Sequence, residues 1–122
     1  LFMNGGDGRF RDRAREAGEA FAEAKVGRGL AAGDFDNDGD VDLLLTTNGG
    51  PVRLYRNDRS STNRFLRFQL VGTSSNRDAI GATVRIFHDG ASQQRMVRTG
   101  SSYLSQSEKT VTFGLGSSGD VA

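Results

Sequence analysis

Asp34-Phe35-Asp36-Asn37-Asp38-Gly39-Asp40-Val41-Asp42 sets five aspartates on alternate positions of a nine-residue stretch. Like charges packed this densely repel one another, so a fold tolerates them when something positive sits among them. Carboxylate and carbonyl oxygens are the preferred ligands of a hard divalent cation. The spacing fits a loop wrapped around such an ion. Asp34, Asp36 and Asp38, at loop positions 1, 3 and 5, can turn inward together. Gly39 at position 6 permits a backbone turn that other residues resist. The carbonyl of Asp40 at position 7 can then face the ion, and Asp42 at position 9 closes the shell. The expected ligand set is therefore Asp34, Asp36, Asp38, Asp40 and Asp42. Ca2+ is favoured over Mg2+, because a flexible cage rich in carboxylates suits a large ion of high coordination number. The bland alternative is a solvated acidic turn without an ion, but ordinary turns use one or two Asp and not five.

The elements around the loop must hold it. The first nine positions resemble an EF-hand loop, yet position 12, where that loop needs a bidentate Glu, is Leu45. Val41, Leu43 and Leu45 alternate with Asp42, Leu44 and Thr46 and run into Thr47-Asn48-Gly49-Gly50, which is the pattern of a strand and a turn. Leu30-Ala31-Ala32-Gly33 reads as a short buried strand entering the loop. The loop thus joins two strands rather than two helices.

Upstream, Gly5-Gly6-Asp7-Gly8 is a turn signal between two extended stretches, so residues 1–13 form a hairpin. Arg9, Arg11, Arg13 and Arg15 share a face if extended. Asp12 and Glu16 interrupt that field and aromatic interleaving is poor, so a charged edge strand is favoured over a nucleic-acid stripe. Ala14 to Lys25 predicts a short helix or irregular connector, with Ala17, Ala20, Phe21 and Ala24 on one face and Gly18 weakening it. Downstream, Val52 to Asn57 is a further strand, and Leu54-Tyr55-Arg56-Asn57 repeats Leu1-Phe2-Met3-Asn4 at an offset of 53 residues. Periods near this length occur in blade-like β architectures.

Asp58 to Asn63 is a polar joint, beyond which the texture changes. Phe65 to Val71 alternates with Leu66, Phe68 and Leu70 on one face. Ile80 to His88, Gln93 to Thr99 and Lys109 to Phe113 follow as strands, with Asp89-Gly90 as a hairpin turn. The expected organisation is a repeat over 1–57 with the acidic loop, a linker over 58–63, and a small antiparallel β-sandwich-like domain over 64–122 that stops short at its C-terminus.

The chain has 122 residues, of which 35% are hydrophobic, and 17 glycines. That favours turn-rich β structure with a thin core over a helical bundle. There is no Cys, so a secreted chain of this kind needs another staple, such as an ion. Formal charge is +1, but the loop alone carries −5 and the remainder +6. No apolar run reaches membrane-spanning length, so no membrane insertion is expected. The start at Leu1 and the lack of a visible signal peptide lead to the expectation of a processed product or a fragment.

Two family resemblances rest on these residues. Gly29 to Leu43, followed by Leu54-Tyr55-Arg56-Asn57, resembles an FG-GAP/VCBS repeat, whose D-x-D-x-D-G-x-x-D positions match Asp34, Asp36, Asp38, Gly39 and Asp42. Asn76 to Ala82, Ser101 to Ser107 and Phe113 to Gly116 resemble the ASPIC/UnbV domain, which accompanies such repeats in the cartilage acidic protein family. The resemblance implies an all-β chain: one calcium-binding propeller-type blade followed by the β-sandwich-like domain. It also implies an extracellular or cell-surface setting and a binding or adhesive role without catalysis. One blade cannot close a propeller, so its edges must be covered locally, by neighbouring chains, or by further polypeptide.

Nothing else in the chain has the composition of a catalytic site. His88 is the only His, beside a turn, and no Ser sits in a nucleophile elbow. Gly114-Leu115-Gly116-Ser117-Ser118-Gly119 matches G-x-G-x-x-G, but no helix can follow it. Arg77 is expected to pair with a carboxylate inside the fold. The loop Gly100 to Ser107 holds one aromatic, Tyr103, that either stacks on a sugar ring or plugs the end of the sandwich. The expected function is a calcium-stabilised extracellular binding or adhesion module, with a protein or glycan surface partner and no nucleic acid. The alternative is a structural protomer of a surface filament, self-associating through β-edges or head to tail.

Overall fold

The structure is a computed structural model, and it describes residues 1–58 and 62–117. Part of the expected linker and the last five residues lie outside that range. The fold is all-β. Strands β1 (Phe2–Asn4) and β2 (Phe10–Asp12) form the first hairpin, paired Phe2 with Asp12. β3 (Gly27–Gly33), β4 (Asp42–Thr47) and β5 (Arg53–Tyr55) form a three-stranded antiparallel sheet in chain order. The acidic loop is the connection between β3 and β4, and Gly33 pairs with Asp42 across its base. β6 (Arg64–Phe68) pairs with β9 (Val111–Gly116), and β7 (Thr83–His88) pairs with β8 (Ala91–Met96). These small antiparallel sheets close no barrel or propeller.

Local sequence explains most of this. Asp89 and Gly90 both take positive φ, 49° and 73°, as a two-residue hairpin turn demands. Residues Ala14–Ala17 and Glu19–Phe21 form two 3₁₀ turns rather than one helix. Gly18 divides them with φ 128°, and the first turn has no side-chain cap to hold it. Phe21 nonetheless finds an apolar partner: its ring stacks on Tyr55 of β5 at 5.1 Å.

The hydrophobic core lies in the second half. Ile86, Val97, Val111, Phe113 and Leu115 are buried, with Leu66, Phe68, Leu70 and Val84 packed against them. This puts the alternating face of β6 where its period-2 pattern requires. Phe113 is 0% exposed and meets Phe68 edge-on at 5.9 Å. The first half is built differently. Among the described residues 1–58, only Gly29, Asp34, Gly39 and Asp42 are buried. β3 is not the buried strand that its sequence predicts, since Leu30 is exposed and Ala31 and Ala32 only half-buried. It is an edge strand with open faces.

That edge is covered locally. Ser105 Oγ donates to Leu30 O at 2.9 Å, and Ser107 Oγ accepts from Ala32 N at 3.1 Å. Glu108 N donates to Ala32 O at 3.0 Å, and Glu108 Oε1 accepts from Asp34 N at 3.1 Å. The segment after Tyr103 therefore runs beside β3 and satisfies its backbone largely through side chains. Tyr103 does not plug the sandwich: the residue is 64% exposed, while its carbonyl oxygen faces Gly29, where an added Cβ would lie 3.0 Å away.

Phe113→Ala is expected to lower the unfolding free energy by about 3–5 kcal/mol, the usual cost of emptying a filled aromatic site. Urea denaturation measures this, with Phe10→Ala on the exposed hairpin as the control, expected to stay within about 0.5 kcal/mol of the parent.

Candidate metal centre

β3 and β4 bring Asp34 and Asp42 to the mouth of the loop, and both side chains turn into the protein. Asp34 is 8% exposed and Asp42 2%. The loop folds around Asp34. Its Oδ1 accepts from Asp38 N at 3.1 Å and its Oδ2 from Gly39 N at 2.9 Å. Asp42 holds both ends of the turn: Oδ2 accepts from Phe35 N at 2.7 Å and Oδ1 from Asn57 N at 2.8 Å. The second of these bonds ties the end of the three-stranded sheet to the loop through the backbone N–H of residue 57. Asp40 N closes a smaller turn onto Asp38 Oδ1 at 2.9 Å.

Gly39 is fixed twice over. Its φ is 94°, a conformation L side chains resist, and an added Cβ would lie 1.9 Å from Cε1 of Phe65. The ring of a β6 residue therefore rests directly on the loop backbone.

The carboxylates gather in two overlapping groups. Asp34, Asp36 and Asp42 each offer an oxygen, and these oxygens lie within 4.8 Å of one another; Asp36, Asp38 and Asp58 do the same in the open. Two oxygens on one Ca2+ at about 2.4 Å stand at most about 4.8 Å apart, so the first group fits such an ion and its donors are the all-oxygen set it prefers. The structure thus gathers four of the five sequence-predicted residues, Asp34, Asp36, Asp38 and Asp42. The carboxylate of Asp40 joins neither group; its expected contribution is through the carbonyl.

Sequence reasoning missed Asp58, Asn57, Arg67 and Glu108. Arg67, on β6, places Nη1 2.8 Å from Asp34 Oδ2 and Nη2 2.6 Å from Glu108 Oε2. Arg56 lies 3.9 Å from Asp36 and pairs with Asp58. The Asp58 carboxylate makes Arg56 hold its proton more firmly than usual, with Asp36 and Asp38 adding to the effect. The chain's own guanidinium groups therefore supply part of the positive charge that the acidic loop demands. Asp58 could have been found by extending the acidic count past Asn57; no local signal marks Arg67 or Glu108.

Other singled-out residues fall elsewhere. His88 ends β7 with Nδ1 3.5 Å from Asp89. Arg11 pairs with Asp7 and Arg13 with Glu16, so two arginines of the four-residue stripe are held in local ion pairs. Arg77 is exposed, and its neighbour Asp78 pairs with Lys109 at 2.6 Å.

The chain thus sets a cluster of carboxylates between two strands and follows it with a small β unit. Residues 1–45 match the family described as FG-GAP-like repeat, and residues 72–122 match the family described as ASPIC and UnbV. Among curated proteins, the chain is 44% identical to cartilage acidic protein 1 of Homo sapiens over 69 residues, 57% of this chain and 10% of that protein. It is 40% identical to the Xenopus tropicalis protein of the same name over 73 residues, 60% of this chain and 11% of that protein. The Mus musculus protein is 46% identical over 55 residues, 45% of this chain and 8% of that protein. The chain therefore spans about a tenth of the length of the curated relatives it matches. No solved structure matches it significantly.

Gly39→Ala is expected to destabilise the protein well beyond Gly81→Ala, which has a similar φ of 90° but open space around it. The Gly81 change should cost about 1–2 kcal/mol from backbone conformation alone. Combining Gly39→Ala with Phe65→Ala should recover most of the excess, and a double-mutant cycle by denaturant unfolding reads that coupling.

Proposed function

We propose that this chain is a calcium-stabilised extracellular binding or adhesion module without catalytic chemistry of its own. One observation carries the reading. The only buried side chains among the described residues of the first half, glycines aside, are two carboxylates, and their oxygens lie with one from Asp36 within 4.8 Å of one another, close enough to share a divalent ion. A half-chain without a buried apolar side chain needs a staple, and an ion bound only by the folded loop converts its binding free energy into folding free energy. Asp34, Asp36 and Asp42 would hold the ion, with Asp38 and the Asp40 carbonyl completing the shell. The ion would supply positive charge and rigidity rather than a reactive water. Support for the setting comes from the FG-GAP-like match and from the cartilage acidic proteins to which the chain is similar. Among the described residues no helix is long and apolar enough to cross a membrane.

The surface favours a protein or glycan partner. Tyr103 and Leu104 stand out from the loop, Leu104 at 85% exposure, where an aromatic and an aliphatic side chain offer contact area at small ordering cost. A second reading has its own observation: Phe2, Met3 and Phe10 on the first hairpin and Leu44 and Leu54 on the three-stranded sheet are exposed. Such faces suit stacking on another β-sheet, as in a filament built from copies of this chain. Light scattering separates the readings, since a filament protomer would not remain monomeric as concentration rises.

Removing calcium with a chelator is expected to lower Tm, and adding it back to restore it. Asp36→Ala should lower Tm in calcium yet not in chelator, because its carboxylate holds no backbone group among the hydrogen bonds described and its loss relieves repulsion within the acidic cluster. Asp42→Ala should be destabilised in both conditions, since Phe35 N and Asn57 N lose their acceptor. Identical melting of the parent with and without calcium would remove the ion from the account.

A further inference from the structure

We infer that Arg67 is the internal counter-ion that sets the affinity of the acidic loop for its divalent cation, coupling cation binding to the seating of β6 on the loop. The inference rests on the metal reading above and extends it to a residue outside the loop.

Four observations carry it. The Arg67 guanidinium touches three groups, Asp34 Oδ2 at 2.8 Å, Asn37 Oδ1 at 3.2 Å and Glu108 Oε2 at 2.6 Å. Its Nε is buried without a hydrogen-bond partner, so the two carboxylates and Asn37, rather than a full set of bonds, decide where it sits. The Asp34 side chain is wholly shielded from water, so solvent contributes little to neutralising it. The same Asp34 offers an oxygen to the group that fits the ion.

A guanidinium and a divalent ion drawn to one carboxylate lie a few ångströms apart in a region that water and salt screen poorly. Each therefore weakens the hold of the other. With the ion absent, Arg67 balances Asp34 and keeps the loop folded around it. With the ion present, the guanidinium is repelled toward Glu108, whose Oε2 meets its other terminal nitrogen and whose Oε1 holds Asp34 N. Arg67 should thus lower cation affinity and raise ion-free stability, whereas Glu108 should raise affinity by offsetting the guanidinium charge. Opposite signs from two residues in one contact chain are the mark of a charge effect; a merely structural role would weaken binding in both variants.

The experiment is calcium titration calorimetry on the full chain, paired with melting in chelator. Arg67→Gln is expected to bind Ca2+ at least about tenfold more tightly than the parent, about 1.4 kcal/mol, and to melt at lower temperature in chelator. Arg67→Lys, which keeps the charge, should stay within about threefold of the parent, and Glu108→Gln should bind several-fold more weakly. Unchanged or weaker binding by Arg67→Gln, or shifts of the same sign for Arg67→Gln and Glu108→Gln, overturns the inference while leaving the metal reading intact. Absence of binding by both the parent and Arg67→Gln overturns both readings. Binding by Arg67→Gln alone supports the inference in its strongest form. Should Arg67→Gln fail to fold, Arg67→Met, which keeps the length of the side chain and loses its charge, takes its place: tighter binding supports the inference, and unchanged or weaker binding ends it.

Discussion

The carboxylate of Asp34 is the point on which the first half of this protein turns. It is a negative charge withdrawn from water, and such a charge persists only where donors and countercharge surround it. Two loop amides and the Arg67 guanidinium do so. Asp42 repeats the arrangement with two further amides. Hydrogen bonds to ionised acceptors are stronger than those between neutral groups, so this pair of aspartates can shape a loop that no apolar core supports.

The two halves of the chain therefore stand on different physics. The second half packs Phe113, Ile86, Val97, Val111 and Leu115 into a small apolar core, where non-directional burial is the driving force. The first half has directional polar contacts and shares its stability across the junction. Phe65 rests on Gly39, Arg67 reaches Asp34, and Ser105 to Glu108 lie along β3. Each contact pairs a residue of the second half with the loop or the strand that enters it. A strand edge that would otherwise present unpaired backbone groups is thus blunted from within the chain.

The chain itself answers part of the loop's charge. Arg67 comes from β6, Arg56 from just beyond β5, and neither belongs to the loop itself. A loop partly neutralised by its own protein depends less on an ion for its shape, and on the proposed metal reading guanidinium and cation would share Asp34.

By itself the sequence determined the alternation of aspartates, the glycine turn, the strand over Asp42–Thr47, the Asp89-Gly90 hairpin and the inward face Leu66-Phe68-Leu70. These are signals written within a few residues, where spacing maps directly onto backbone geometry. It also carried the resemblance to the two families that the chain matches in part, because that too lies in local motifs. Only the tertiary structure decided that β3 is an edge, that serines 105 and 107 cover it, that Tyr103 faces solvent, and that Asp34 is paired with Arg67. Those contacts join residues about 30 to 75 positions apart, and an exposed and an edge-capping serine look alike in a string of letters. Which carboxylates turn inward is fixed by the same distant partners, since burying a charge depends on what the rest of the chain brings to meet it.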